Sequence, residues 1–168
     1  TRIQQHHNEK GCLVARIVVT GGGGFLGQRL IGALLESDRL VINGDHVSIG
    51  SLCVIDPVIP EHFTARGIET IEGDLLSIIK SRHEIFEGVD AVIHLASAVS
   101  GECEADLELG LEVNVNAGLA LGRRLAHEKN KPLLVSTVNS QKLVDAETDF
   151  DFKSFVKSLS RKNTALPK

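Results

Sequence analysis

Several residue types and patterns that mark particular classes of protein are scarce in this sequence. It has only three cysteines in 168 residues, Cys12, Cys53 and Cys103, and no C-x-x-C pair. An odd number of widely spaced cysteines does not suggest a zinc site or a redox-active dithiol, so we expect no metal, reduced thiols and a cytoplasmic location. No apolar run approaches the ~20 residues of a membrane span, and the polar residues 1–10 do not resemble a signal peptide. We therefore expect no membrane association.

Clusters of basic residues are missing as well. Lys and Arg total 18 against 22 Asp and Glu, for a formal net charge of −4 at pH 7, and they are scattered along the chain. A nucleic-acid partner is not expected, because no basic stripe is present to neutralise phosphates. The composition, with 42% hydrophobic and 24% charged residues, is typical of a globular protein, and the length fits one compact unit. The chain begins at Thr1 and has no methionine, from which we expect a further upstream piece.

Short apolar runs alternate with segments of helical period, and this order predicts βαβ units around a doubly wound parallel sheet in an α/β fold. The predicted strands are residues 13–20, 51–55, 68–72, 91–96 and 132–137. The predicted helices are residues 25–37, 75–86 and 104–127, the last with Leu107, Leu111, Val115 and Leu119 on one side. Residues 37–50 are rich in Asp, Asn and Gly, which predicts a loop insertion.

A glycine-rich loop follows the first strand, where residues 20–27 read T-G-G-G-G-F-L-G. Gly21 would allow a tight turn, Gly24 a close approach of the backbone to a phosphate, and Gly27 close packing of the helix on the strand. Bare N–H groups at the start of a helix attract a pyrophosphate. The position of the loop between a β-branched strand and an amphipathic helix favours a dinucleotide site that includes Phe25 and Leu26. The alternative is a merely flexible turn.

An acid ends the second strand, at Asp56. In this position a carboxylate accepts hydrogen bonds from both adenosine ribose hydroxyls and repels a 2′-phosphate, which predicts NAD rather than NADP. Asp56 follows Gly27 by 29 positions, more than the usual ~20 after the glycines, and the predicted insertion accounts for the excess. The alternative is that Asp56 is only a turn residue before Pro57.

The remaining candidates lie near the ends of later strands. Asp74, before Leu75, could cap a helix or accept from the adenine amino group. Leu95, Ala96 and Ala98 lie at the carboxyl end of strand four, where a doubly wound sheet has its ligand crevice. Ser97, Ser100 and Glu102 lie just beyond that strand and could reach a polar substrate or represent ordinary loop polarity. His94 is expected to be a near-core histidine rather than a catalyst.

Together these motifs resemble the extended short-chain dehydrogenase/reductase family, the NAD-dependent epimerase/dehydratases. The resemblance covers about residues 14–137. It rests on residues 20–27, Asp56, G-D-L at 73–75, H-L-A at 94–96 and V-N-V at 113–115. Within the family, S-G-E at 100–102 and A-D-L at 105–107 are similar to D-erythronate dehydrogenase and its relatives. The resemblance implies a Rossmann fold, NAD as cofactor, and oxidation of a small sugar acid at a secondary hydroxyl, with the hydride passing to NAD.

The resemblance also implies roles for residues close to the substrate. Asn114 matches the family asparagine on the helix after strand four, which supports the strand-five region. Thr137 matches the catalytic hydroxyl at the end of strand five, and Ser100 and Glu102 would lie near the substrate.

One departure from the family concerns proton transfer. The family uses a tyrosine whose pKa is lowered by a lysine four residues later, and this sequence has no tyrosine. Two interpretations stay open: the NAD-binding portion of a sugar-acid dehydrogenase or epimerase/dehydratase-like oxidoreductase, or a catalytically inactive NAD-binding module from a truncated product. We expect an NAD-binding domain at residues 12–137 and a divergent tail at 138–168 without a complete substrate domain. Exposed apolar surface beyond strand five would favour a homodimer.

Overall fold

The computed structural model describes residues 6–7, 13–37, 39–98 and 105–136. The strands in this part are β1 (His6–His7), β2 (Leu13–Thr20), β3 (Leu40–Ile42), β4 (Asp45–Asp56), β5 (Glu69–Glu72), β6 (Ala91–His94) and β7 (Leu133–Ser136). The helices are α1 (Phe25–Leu35), α2 (Glu61–Ala65), α3 (Leu75–Ser81), a 3₁₀ turn (His83–Phe86), α4 (Leu107–Leu111), a π-helical segment (Glu112–Asn116) and α5 (Ala117–Ala126). Among the described residues, no helix has both the length and the apolarity to cross a membrane.

The strands form one mostly parallel sheet. Five of them lie side by side in parallel, in the order β5-β4-β2-β6-β7. The antiparallel strands β1 and β3 pair with β2 and β4 respectively. The chain moves outward from β2 to β4 and β5 and then crosses back to β6 and β7, so the strand order reverses between β2 and β6. This arrangement confirms the predicted doubly wound α/β sheet, whose ligand crevice is expected at the carboxyl ends of β2 and β6.

Apolar residues on successive positions of β2 pack on opposite faces of the sheet. Ile17 and Val19 belong to a cluster that includes Leu30 of α1, whereas Val18 belongs to a second cluster that includes Leu121 of α5. Burying each such side chain contributes roughly 1.5–3 kcal/mol. The continuous apolar run of this strand is therefore explained by helices that cover both of its faces.

The prediction of a loop insertion over residues 37–50 is wrong. These residues contain a β-hairpin in which Leu40 pairs with Val47 and Ile42 with Asp45. Asn43 and Gly44 form the two-residue turn, with φ angles of 53° and 95°. Positive φ at both positions is what a tight hairpin turn requires, and Asn-Gly supplies it at low cost. Strand β4 consequently begins six residues earlier than predicted, at Asp45 rather than residue 51.

The predicted long helix over residues 104–127 is interrupted by the π-helical segment. Its inward side is made by Gly110, Ala117, Leu121 and Leu125, which are buried. The predicted apolar side faces away from the sheet, because Leu107, Leu111, Val115 and Leu119 are 70%, 48%, 45% and 53% exposed. A π-helical turn holds one extra residue, which changes the register between the parts of the helix on either side of it.

Smaller differences concern the ends of elements. The predicted helix over residues 75–86 is divided at Arg82 into α3 and the 3₁₀ turn, and the strand predicted to reach residue 96 ends at His94. The short helix α2 was not predicted. It begins after Pro60, whose φ of −62° suits the start of a helix, and it buries Phe63 against the first cluster.

Candidate cofactor site

A cavity of about 250 Å³ lies at the carboxyl ends of β2, β4, β5 and β6. Seven of the predicted cofactor residues line it: Gly21, Gly24, Asp56, Asp74, Leu75, Leu95 and Ala96. Five further lining residues were not predicted for the site: Ile55, Pro57, Gly73, Val113 and Ala117. Ser97, which was predicted to reach a substrate, also lines the cavity. The fold thus brings residues from four strand ends and from the helix after β6 to one crevice.

The glycine-rich loop forms the turn from β2 into α1. Gly21 has a φ of +76°, and a Cβ atom on it would lie 2.4 Å from the backbone nitrogen of Ala96. A Cβ on Gly27 would lie 2.3 Å from the carbonyl oxygen of Gly21. These two glycines therefore let the turn, the start of α1 and the segment after β6 approach one another closely.

Gly24 differs from the other two, because among the described residues a Cβ on it would meet the oxygen of Gly21 alone, at 3.6 Å. It is the N-cap residue of α1, and no side chain in the part of the chain that the structure describes caps the helix there. The first N–H groups of a helix have no partner within the helix, so this end suits an anion. Gly24 lines the cavity, so the uncapped end of α1 lies at its wall.

Phe25 and Leu26 follow on the first turn of α1. Phe25 is 55% exposed, and the guanidinium of Arg29 lies 4.2 Å from the centre of its ring. Leu26 is half-buried. Neither residue is among those that line the cavity.

Asp56 ends β4 with its carboxylate directed at the glycine-rich loop. One oxygen, Oδ2, accepts a hydrogen bond of 2.9 Å from the N–H of Gly23, and Oδ1 accepts one of 2.9 Å from the N–H of Val58. The bond to Val58 is the Asp-Pro turn interaction that formed the alternative prediction. Asp56 also lines the cavity, so the turn role and a position beside a ligand occur together.

Asp74 caps helix α3. Its carboxylate accepts from the N–H groups of Leu76 and Ser77 over 2.9 and 3.1 Å. Hydrogen bonding from the Ser77 side chain is the main cause that lowers the pKa of Asp74, and the two backbone bonds add to it. Of the two roles predicted for Asp74, the structure shows the helix cap. A role toward adenine stays a prediction.

Hydrogen bonds join the end of β2 to the end of β6. The N–H of Leu95 donates to the carbonyl oxygen of Thr20 over 2.8 Å. Thr20 Oγ1 and His94 Nδ1 lie 2.6 Å apart, with both residues buried. Burial lowers the pKa of His94, which favours the neutral ring. These observations suit a near-core histidine that holds the end of β6 against the end of β2.

Asn114 lies in the π-helical segment and holds the segment after β6. Its Oδ1 accepts from the N–H of Ala98 over 2.8 Å, and its Nδ2 donates to the oxygen of Ala98 over 3.1 Å. Val113 and Ala117, on either side of it in the chain, line the cavity. In the sequence these two residues are four positions apart, and this spacing puts two residues on the same side of a helix. Thr137, Ser100 and Glu102 lie outside the described residues.

Comparison with known proteins agrees with this geometry. Residues 17–148 match the NAD dependent epimerase/dehydratase family. The D-erythronate dehydrogenase of Cupriavidus necator is 38% identical over 115 residues, which are 67% of this chain and 36% of that protein. The D-erythronate dehydrogenase of Haemophilus influenzae is 36% identical over 99 residues, 59% of this chain and 30% of that protein. The chain spans about a third of the length of these curated relatives.

Solved structures share the fold. A nucleoside-diphosphate-sugar epimerase from Agrobacterium tumefaciens superimposes with a TM-score of 0.62 at 23% identity, covering 78% of this chain and 40% of that one. MoeE5 in complex with UDP-glucuronic acid and NAD gives a TM-score of 0.54 at 22% identity, covering 72% of this chain and 36% of that one. The predicted family, and the NAD dependence that its description carries, are confirmed by the match over residues 17–148. The chain belongs to the NAD dependent epimerase/dehydratase family.

Proposed function

We propose that the described sheet is the NAD-binding part of an oxidoreductase that acts on a small sugar acid, as the name of the D-erythronate dehydrogenase relatives indicates for them. The observation that carries the proposal is the meeting of the glycine-rich loop and Asp56 at one cavity. NAD would supply the acceptor for a hydride from the secondary alcohol carbon, while the hydroxyl proton leaves to a base. We further propose that residues 12–137 make up the NAD-binding unit. The expected cytoplasmic location rests on the sequence alone and stays a prediction.

The residues of the cavity fit a dinucleotide. The uncapped start of α1 offers N–H groups to the pyrophosphate, and Gly24 leaves the approach to them open. Each carboxylate oxygen of Asp56 accepts one backbone bond, which leaves a lone pair on each for a ribose hydroxyl. Leu95, Ala96 and Val113 offer an apolar wall for the adenine ring. The volume of about 250 Å³ suits one nucleoside half of the cofactor.

A comparison of NAD with NADP tests the cofactor proposal. A ligand present at 100 times its Kd stabilises a protein by about 2.7 kcal/mol, which for a domain of this size raises Tm by about 5–10 °C. We expect NAD to produce a shift of this order and NADP at the same concentration to produce less. Equal shifts, or none, would remove the assignment of NAD.

Thr137, Asn114, Ser100 and Glu102 are our candidates for the substrate side. Asn114 holds Ala98, two residues before Ser100 in the chain, through two hydrogen bonds. Thr137 is the residue that follows β7 in the chain, and its hydroxyl is our candidate for the catalytic group.

The alternative proposal is a module that binds NAD without hydride transfer. It is favoured by the sequence, which contains no tyrosine to act as the family's proton-transfer group. General acid–base catalysis contributes roughly 10²–10⁴-fold to such reactions. We therefore expect these 168 residues to bind NAD but to form no NADH from D-erythronate. NADH formation above that of a chain with Thr137→Ala would contradict this alternative and support catalysis by Thr137.

We also propose that a second copy of the chain covers the exposed side of α4 and the helical residues after it, giving a homodimer. Four large apolar side chains on this side, at residues 107, 111, 115 and 119, are each more than two-fifths exposed. Exposed apolar groups at regular helical spacing are typical of an interface between helices. We expect light scattering to give a dimer mass for the chain and a monomer mass for the double variant Leu111→Glu, Leu119→Glu. A monomeric parent chain at all concentrations would contradict the homodimer.

A further inference from the structure

We propose that Asn43 is a site of spontaneous covalent modification, at which the folded chain loses ammonia and forms isoaspartate. Asn43 and Gly44 make up the turn of the hairpin between β3 and β4. The sequence contains an Asn-Gly pair once, and neither of its residues is among those that line the cavity. The reactants are the chain itself and water, so this inference does not depend on the binding of NAD.

The reaction joins the side chain of Asn43 to the main chain of the next residue. The backbone nitrogen of Gly44 gives up its proton to water and bonds to Cγ of Asn43. The bond between Cγ and Nδ2 then breaks, and Nδ2 takes up a proton and leaves as ammonia. Water adds to either carbonyl carbon of the resulting cyclic succinimide and opens the ring to aspartate or to isoaspartate. No group is oxidised or reduced in these steps.

The hairpin turn leaves both reacting groups accessible. Asn43 and Gly44 are exposed. A Cβ atom built on Gly44 would meet no atom of the described residues within 4 Å, so the space around its nitrogen is open. A side chain on the residue after asparagine hinders the attack, and glycine has none. Within the part of the chain that the structure describes, no backbone acceptor holds the N–H of Gly44.

The turn can open without unfolding of the sheet, because the hairpin is short. Strand β3 has three residues, Leu40–Ile42, and each of them pairs with one residue of β4. Short elements and loop tips open locally at a small cost in free energy. In the open turn the main chain at Asn43 rotates freely, which brings the nitrogen of Gly44 to Cγ.

The other described asparagines lack this combination, since each is followed by a residue with a side chain. Asn114 and Asn116 lie in the π-helical segment, where the following N–H groups belong to the helix. Both polar atoms of the Asn114 side chain are bonded to Ala98. Nδ2 of Asn130 donates to the carbonyl oxygen of Val89 over 2.6 Å. The structure therefore provides internal controls for Asn43.

The two products differ in their effect on the hairpin. Aspartate keeps the turn, because Asp-Gly, like Asn-Gly, is a preferred pair for a two-residue hairpin loop. Isoaspartate carries the main chain through its side chain, which adds a carbon atom to the turn and disturbs the pairing of Ile42 with Asp45. Leu40 and Ile42 are buried in the first cluster and depend on that pairing for their position. Formation of isoaspartate therefore loosens the hairpin as the protein ages.

The test incubates the folded chain at neutral pH and follows its tryptic peptides by mass spectrometry. The peptide of residues 40–66 has Asn43 as its asparagine, and the peptide of residues 83–123 has Asn114 and Asn116, so one digest contains the site and its control. Loss of ammonia should be about tenfold faster in the first peptide, which corresponds to a barrier lower by ~1.4 kcal/mol. Protein isoaspartate methyltransferase should add a methyl group to the same peptide. Equal rates in the two peptides, or an Asn43 that stays intact, would overturn the proposal.

A variant and a second measurement complete the test. Asn43→Gly is the matched variant, because Gly-Gly also forms two-residue hairpin loops and has no side-chain amide. Its residues 40–66 should accept no methyl group after incubation, and methylation there would contradict the assignment to Asn43. In the aged parent chain, the amide protons of residues 40–47 should exchange about tenfold faster in molecules with isoaspartate than in those with aspartate. Equal exchange in the two products would overturn the loosening of the hairpin, and this comparison does not depend on the folding of any variant.

Discussion

Replacing two glycines of α1 by alanine should have opposite effects on stability, although the helix and the substitution are the same. A Cβ on Gly27 would lie 2.3 Å from the oxygen of Gly21 and 2.5 Å from Cα of Gly22, and both are backbone atoms of the turn. Overpacking of this kind costs up to about 3 kcal/mol, and the better helix propensity of alanine returns about 1 kcal/mol. We expect Gly27→Ala to lower the free energy of unfolding by about 2 kcal/mol. Gly32→Ala gains the propensity term alone and should raise it by about 1 kcal/mol.

Urea denaturation measures both changes. With a slope of about 2 kcal/mol per molar urea, the two midpoints should lie roughly 1.5 M apart, on opposite sides of the parent chain. The Gly27→Ala chain should also bind NAD more weakly, because the displaced turn includes Gly21, which lines the cavity. If Gly27→Ala were as stable as Gly32→Ala, the close packing of α1 on the turn would not exist, and our account of the loop would be refuted.

Three further predictions concern polar groups around the site. Asp74→Ala removes the cap of α3 and should cost about 1 kcal/mol in urea denaturation. Because hydrogen bonding lowers the pKa of Asp74 below 3.8, this difference from the parent should be present above pH 3.8 and disappear as the pH falls through the lowered value. Thr20→Val leaves the buried Nδ1 of His94 without the Thr20 hydroxyl and should cost about 1–3 kcal/mol, also measured in urea. Since burial lowers the pKa of His94 below 6.5, the unfolded chain takes up a proton that the folded chain does not, so stability should be full above pH 6.5 and fall below it. His94→Gln should flatten that decline below pH 6.5, and an identical pH profile for the variant would contradict the assignment.

The fold was predictable because strong local signals agreed with one another. Strand β2 is β-branched and apolar at successive positions, which indicated burial on both faces, and Val18 and Val19 do pack into different clusters. The turn after it contains glycines at the positions where a side chain would collide with backbone. Such features depend on neighbouring residues in the chain and on steric exclusion, so they can be predicted from the sequence.

The hairpin was missed although Asn43 and Gly44 carried its signal. The first half of β4 was not predicted because it contains the polar residues Asp45, His46 and Ser48. Pairing with neighbouring strands, and not an apolar pattern, keeps these residues in a strand. Ser48 pairs with Val14 of β2, and Val47 pairs with Leu40 of β3. Strand preference depends strongly on such partners, which lie elsewhere in the sequence.

The long helix shows the converse error. Leu107, Leu111, Val115 and Leu119 form a regular apolar series, yet the sheet is covered by the side with Ala117, Leu121 and Leu125. Periodicity shows that a helix has an apolar side but not which of two such sides meets the sheet. The apolar pattern of the sequence also did not predict the π-helical segment, which alters the register within the helix.

The amino-acid sequence by itself determined the alternation of parallel strands and helices, the glycine-rich loop after β2 and the acid that ends β4, since each follows from residue type and spacing. Only the tertiary structure decided that Asp56 bonds to Gly23 across 33 positions, and that Val113 and Ala117 reach the same cavity. These contacts depend on the register of β4 against β2 and on the rotation of a helix after β6. Both are set by the packing of the whole sheet, which no local pattern contains.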